Sequence, residues 1–126
     1  MKEKRQWHSC FYDDHTNSIF IVGGSAGWND SAHLQLATNE QWKLDTNQWI
    51  MTPSLPEPIG RSAGVSSKSM EYTGFIAGGF TDNDNTKKVF GLRRRDLVWE
   101  VMPQKLQTAR RYHSIVNLPF DQIPGC

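Results

Sequence analysis

The chain has 126 residues, a formal net charge of +1 and a mean hydropathy of −0.59. This length fits one domain, and no stretch approaches the roughly 20 consecutive apolar residues that a membrane-spanning helix needs. These values argue against a membrane-spanning helix and are expected of one small soluble domain.

The charge distribution and the cysteine content indicate which class of partner and which cellular compartment to expect. Residues 1–60 are net acidic and residues 61–126 are net basic, a mild asymmetry that is typical of solvated surface, so a nucleic-acid partner is not expected. Cys10 and Cys126 are too few for a disulfide framework. The charged segment 1–5 is not followed by the apolar run of a signal peptide. We therefore expect a cytoplasmic protein with free thiols and no membrane partner.

The first half of the chain predicts four strands in order. Residues 8–12 are rich in β-formers and end at a polar turn. Residues 18–22 are apolar on both faces, which is typical of a strand buried on both sides. Gly23 and Gly24 end that strand where a neighbouring backbone leaves no room for a side chain. Two further strands, at residues 41–45 and 49–51, complete the unit.

The second half repeats this plan and then begins it a third time. Its predicted strands and glycine pair are, in order, residues 61–65, 75–77, Gly78-Gly79, 89–92 and 98–103. A third copy begins at residues 110–116 and stops soon afterwards. No segment shows a 3.6-residue periodicity long enough for a helix. The sequence therefore predicts an all-β fold built from a unit of about 50 residues.

The repeated unit resembles the kelch repeat. Three features match. They are the glycine pairs Gly23-Gly24 and Gly78-Gly79, a tryptophan at least twenty residues after each pair (Trp49 and Trp99), and an Arg-x-x-His-Ser motif (Arg5 with His8, and Arg110 with His113). The resemblance implies a β-propeller of four-stranded antiparallel blades. Blade 1 would span about 5–56, blade 2 about 61–103, and blade 3 would begin at about 110–119.

This length supplies too few blades to close a propeller. Three explanations stay open: a fragment of a longer chain, an assembly of several copies, and a shortened gene model. We expect the fragment, with further blades supplied by the same longer chain or by other copies.

Arginines recur at the start of each unit. In the kelch family this position and the loop after Gly-Gly lie on one face of the propeller. Arg5, Arg61 and Arg110 would ring that face and bind acidic groups of a partner protein or peptide. The alternative is that each arginine braces a neighbouring blade through backbone carbonyls. The long loop after Gly24 adds three candidate contacts, Trp28, Asp30 and His33, although Trp28 can instead fold back on its own blade.

Catalytic and metal sites are not expected. Ser9 and Ser114 lie beside histidines, but adjacent residues of a strand point to opposite faces. His8 and Cys10 share a face without further metal ligands, so no metal and no cofactor is predicted. A solvated turn is expected at Arg93, Arg94 and Arg95.

The sequence therefore predicts a protein–protein interaction module and not an enzyme. One role that the resemblance implies is substrate recognition within a cullin-3 ubiquitin ligase adaptor. Two alternatives stay open: a fragment of a kelch-bladed oxidase or sugar-processing enzyme, and a fragment of an extracellular adhesion protein.

Overall fold

A computed structural model describes residues 1–27 and 34–117. In these two ranges the chain forms ten β-strands and no helix, so the predicted all-β class is confirmed. The strands are β1 Ser9–Asp13, β2 Ser18–Val22, β3 Ser25–Ala26, β4 Leu34–Gln35, β5 Asn39–Lys43, β6 Gln48–Thr52, β7 Ala63–Ser66, β8 Tyr72–Ala77, β9 Lys88–Arg93 and β10 Trp99–Lys105. None of the described residues belongs to a helix that is long and apolar enough to cross a membrane.

Two four-stranded antiparallel sheets account for most of these strands. The first sheet has the order β1-β2-β5-β6 and the second the order β7-β8-β9-β10, so each strand pairs with its predecessor in the sheet. The short strands β3 and β4 form a separate hairpin in the connection between β2 and β5. Each half of the chain therefore builds one sheet of the same topology, as the repeat in the sequence requires.

The hydrophobic core lies where β1 packs against β7 and β8 of the second sheet. The Phe11 ring stacks on Phe20 with centroids 5.3 Å apart and meets Trp99 edge-on at 6.4 Å. A Cβ atom on Gly74 would come within 2.5 Å of the Phe11 ring. The second sheet thus accommodates this phenylalanine because its own side chain is missing at Gly74.

Both glycine pairs end their strands in backbone that no other residue would adopt easily. Gly23 has φ +60° and Gly78 has φ +62°. A Cβ atom on Gly23 would lie 2.2 Å from the carbonyl oxygen of Ile59, and one on Gly78 would lie 2.7 Å from that of Arg110. Each pair therefore marks a close approach of the segment that leads into the next unit.

The sequence predicts that six large apolar residues of the strands belong to the core: Ile19, Phe20, Trp49, Phe75, Phe90 and Trp99. Three of them, Ile19, Trp49 and Phe75, are only half-buried. The strand registers place them on the outer faces of the two sheets, away from the contact between them. Trp49 stacks on Trp42 of the neighbouring strand, with centroids 5.6 Å apart. Phe20, Phe90 and Trp99, which face the other sheet, are buried as predicted.

Candidate recognition surface

The two sheets establish which residues occupy equivalent positions in the repeated units. Ser9 pairs with the residue before Gly23, and Ala63 pairs with the residue before Gly78. Counting back two residues from each makes Arg61 the structural equivalent of Trp7. The predicted alignment of Arg61 with Arg5 is therefore wrong by two residues. Ile59 is the true counterpart of Arg5.

The third unit begins in the same register. Gly24 donates a backbone hydrogen bond to Ile59, and Gly79 donates the matching bond to Arg110. Arg110 is therefore equivalent to Ile59 and Arg5, and Tyr112 is equivalent to Arg61.

The three equivalent residues Trp7, Arg61 and Tyr112 form a row with an unusual backbone conformation. Their φ angles are +53°, +60° and +55°, in the left-handed region that residues other than glycine seldom occupy. Arg61 N–H donates to the Trp7 carbonyl at 2.8 Å, and Tyr112 N–H donates to the Arg61 carbonyl at 3.1 Å. These backbone bonds hold the row together from one unit to the next. Strained backbone of this kind occurs at functional sites more often than elsewhere.

Arg5 is a structural brace. Its side chain is fully buried, and its guanidinium donates to the carbonyls of Gly23 and Thr38, both at 2.7 Å. It also pairs with the fully buried Glu40 at 3.1 Å and with Glu3 at 2.8 Å. Arg5 therefore has a structural role through backbone carbonyls, as the alternative supposed, but it braces its own unit and not a neighbouring blade, and its side chain is not accessible to a partner.

The carboxylate of Glu40 is held by the same brace. Burial alone raises the pKa of Glu40, but the backbone N–H groups of Lys2 and Glu3 and the charge of Arg5 outweigh it, so the pKa lies below its ordinary value.

Arg61 is as buried as Arg5 but has no such partners. Both residues are 9% exposed. The guanidinium carbon of Arg61 lies 4.1 Å from the ring centroid of Trp7, 5.3 Å from that of Phe80 and 5.4 Å from that of Tyr112. Its Nε is buried without an acceptor, as is that of Arg5, but no described residue accepts a hydrogen bond from the two terminal nitrogens of Arg61. Among the described residues, aromatic rings are therefore the contacts of this cation.

A second cation lies against two of the same rings. The Arg111 guanidinium carbon is 4.9 Å from the Phe80 centroid and 5.8 Å from the Tyr112 centroid. Arg111 and Tyr112 are both exposed. We call these residues the Arg61 cluster: Trp7, Arg61, Phe80, Arg111 and Tyr112. Only Arg61 among them was a predicted site residue, because the other four are assembled by pairings between units that the spacing in the sequence does not show.

His8 and His113 follow Trp7 and Tyr112 in the chain and are equivalent to each other. Burial lowers the pKa of His8, and the charge of Arg5 adds to this effect. Burial likewise lowers the pKa of His113, with a contribution from Arg110. The ring of His113 lies against Gly78. Both imidazoles therefore stay uncharged at neutral pH, and the cations of this surface are its arginines.

The remaining predicted site residues lie elsewhere. Arg110 is exposed at the start of the third unit. Trp28, Asp30 and His33 fall outside the described residues. Within the described ranges, no group of three or more His, Cys, Asp or Glu side chains is placed to hold a metal ion.

The arginine turn differs from its prediction. Arg94 is mostly buried and pairs with Asp13 of the first sheet at 2.9 Å, while Arg93 pairs with Asp96 at 2.6 Å and with Glu100 at 2.5 Å. The expectation of a solvated turn is therefore wrong for Arg94. Arg93 forms its ion pair with Asp96 at the turn itself, and Arg95, whose side chain is 77% exposed, fits the expectation.

No protein-family model matches this chain.

Proposed function

We propose that this chain is a segment of a kelch-type β-propeller that recognises a partner protein through an acidic group bound at the Arg61 cluster. Two sheets of equal topology, stacked on each other and joined by equivalent backbone contacts at the glycine pairs, support the propeller. Because fold does not fix function, the proposed activity depends on the surface residues.

The buried guanidinium of Arg61 is the observation that supports binding. A buried cation without hydrogen-bond acceptors is unfavourable, whereas a charge-assisted bond to a carboxylate is among the stronger polar interactions. Arg5 shows how this chain satisfies an arginine that has a structural role, with two carbonyls and a carboxylate. Arg61 has none of these, so its donors suit a ligand.

The wider role belongs to the same proposal. Substrate recognition within a cullin-3 ubiquitin ligase adaptor is what the kelch resemblance implies, and a cytoplasmic location is what the sequence leads us to expect. The scarcity of cysteines agrees with a reducing compartment.

Peptide selection followed by calorimetry tests the proposal. Peptides displayed on phage and selected on the 126-residue chain should be enriched in Asp and Glu. Because each charge-assisted bond contributes about 1.5–3 kcal/mol, Arg61→Ala should weaken binding of a selected peptide by about tenfold or more. Arg61→Lys, which keeps the charge but loses the planar fork, should weaken it less.

Arg95→Ala is the matched control, since it removes an exposed arginine on the turn between β9 and β10, outside the cluster. It should leave the affinity unchanged. Equal losses in the Arg61 and Arg95 variants would indicate general charge attraction, and an unchanged affinity in Arg61→Ala would exclude the cluster as the binding site.

A further inference from the structure

We propose that the acidic group bound at the Arg61 cluster is the phosphoryl group of a phosphorylated side chain. This inference rests on the proposed function and names the chemistry of the ligand more closely. The observation that supports it is that Arg61 and Arg111 lie against the same two aromatic rings.

Two arginine cations lie against the same two aromatic rings in this cluster. Arg61 and Arg111 each lie against both Phe80 and Tyr112. Neither guanidinium forms an ion pair with a described carboxylate. Like charges held against the same rings repel each other, and a dianion between them reverses the sign of that interaction. Both guanidinium carbons lie within 6 Å of the same two ring centroids, so the cluster carries two positive charges that no described carboxylate neutralises.

The number of charges distinguishes a phosphoryl group from a carboxylate. A phosphorylated side chain carries about −1.5 to −2 at pH 7 and offers three acceptor oxygens. A single carboxylate carries one negative charge and two oxygens in one plane, which match one guanidinium fork. The Arg61 fork, enclosed by Trp7 at 4.1 Å, can take two phosphoryl oxygens, and the exposed Arg111 remains for the third.

Four short blocked peptides with one variable position test this inference on the 126-residue chain. In three of the peptides that position is phosphoserine, serine or glutamate. In the fourth it is replaced by two adjacent glutamates, which match the charge of the phosphate. Nitrogen-15 NMR titration follows the Arg61 Nε–H and Trp7 indole signals, so that binding is measured at the cluster itself. The phosphoserine peptide should bind about tenfold or more tightly than either glutamate peptide, and the serine peptide should not bind.

Arg111→Ala should remove most of this preference, because it should weaken binding of the phosphoserine peptide more than binding of the glutamate peptide. Arg95→Ala is again the control and should change neither. A preference that persists in Arg111→Ala would overturn the assignment of the second charge to that residue.

The pH dependence supplies an independent readout. The second phosphate pKa is about 6, while that of a glutamate side chain is about 4.3. Affinity for the phosphoserine peptide should therefore fall between pH 7.5 and pH 5.5, and affinity for the glutamate peptides should not. His8 and His113, which follow Trp7 and Tyr112 in the chain, have lowered pKa values and are therefore uncharged at neutral pH. Their protonation would strengthen anion binding at low pH, which is the opposite direction.

The outcomes separate this inference from the proposed function. Equal affinity for the phosphoserine and double-glutamate peptides would overturn the phosphoryl assignment and leave acidic-peptide recognition intact. Inorganic phosphate binding as tightly as the phosphopeptide would overturn the protein source of the group. If no peptide shifts the cluster signals, the recognition surface itself is excluded.

Discussion

Three arginines of this chain are largely buried, and their surroundings give each a different role. Arg5 donates to carbonyls within its own unit, and Arg61 lies among aromatic rings. Arg94 joins the two sheets, with one nitrogen donating to Asp13 at 2.9 Å and another to the Tyr72 carbonyl at 3.0 Å. Because the Asp13 side chain is fully buried, Arg94 is its compensating charge.

Replacement of Arg94 by alanine should therefore destabilise the fold. Removing one partner of a buried ion pair leaves an uncompensated charge and costs on the order of 3–5 kcal/mol; Arg94 is partly exposed, so we expect a value near the lower end. Arg95→Ala, one residue further on, should change the free energy of unfolding by less than about 0.5 kcal/mol. Urea denaturation of both variants measures the difference, and equal midpoints would contradict the bridging role.

The same pair should make the fold sensitive to acid. Burial raises the pKa of Asp13, but hydrogen bonds from Thr16 and Arg94 outweigh it and hold the pKa below its ordinary value. A carboxyl whose pKa is depressed by folding stabilises the native state above its unfolded pKa of about 3.9, and this contribution is lost as the pH falls through the folded pKa. Arg94→Ala should have a weaker dependence of stability on pH below about pH 4.

At the scale of strands and connections, the glycine pairs determine how closely one unit approaches the next. Gly23 combines a positive φ with a carbonyl oxygen 2.2 Å from where its Cβ would be. Gly27 has a positive φ of +89°, but no atom of the described residues beyond its chain neighbours lies within 4 Å of that point. A comparison of substitutions at the two glycines therefore distinguishes the cost of the left-handed backbone from the cost of the missing space for a side chain.

Alanine at these two glycines should give different losses of stability. Both variants bear the left-handed backbone penalty of about 1–2 kcal/mol. Gly23→Ala should lose a further 1–3 kcal/mol, roughly, because the Ile59 segment must move away. Thermal melting of both variants measures this difference, and identical melting temperatures would show that the close approach does not stabilise the contact between units.

The sequence predicts these elements well because their signals are local. Gly-Gly after an apolar run marks the end of β2 and β8, and the turn residues mark the hairpins. The register of Arg61 could not be read in this way, because the connection between β7 and β8 is one residue longer than that between β1 and β2. Arg94 was also hidden, since its partner Asp13 lies 81 positions earlier. Contacts between units are set by sheet packing, and no short motif encodes them.

At the scale of the whole molecule, the outer face of the first sheet is apolar and partly open. Tyr12 is 47% exposed and Met51 is 43% exposed, and Trp42 and Trp49 lie half-buried beside them. Trp49 is the structural equivalent of Trp99, which the first sheet covers to 5% exposure. A position that is core in one unit is therefore surface in the other, which favours self-association.

Alanine at the two equivalent tryptophans should have contrasting effects. Trp99→Ala should destabilise the chain by about 3–5 kcal/mol, as is usual for a large aromatic side chain in a core. Trp49→Ala should cost less and should reduce association of the chain. Light scattering at several concentrations, together with thermal melting, tests both expectations. A monodisperse, cooperatively melting wild-type monomer would show that the open face does not drive association.

The row of left-handed residues has a consequence for the diversity of such surfaces. Its hydrogen bonds run from backbone to backbone, from Arg61 to Trp7 and from Tyr112 to Arg61, so the row does not require any particular side chain. Three units present an indole, a guanidinium and a phenol from one backbone geometry. If the cluster binds a ligand as proposed, substitutions at Trp7, Arg61 and Tyr112 should change its ligand preference without changing the backbone hydrogen bonds of the row. β-Branched residues are excluded from these positions by the positive φ.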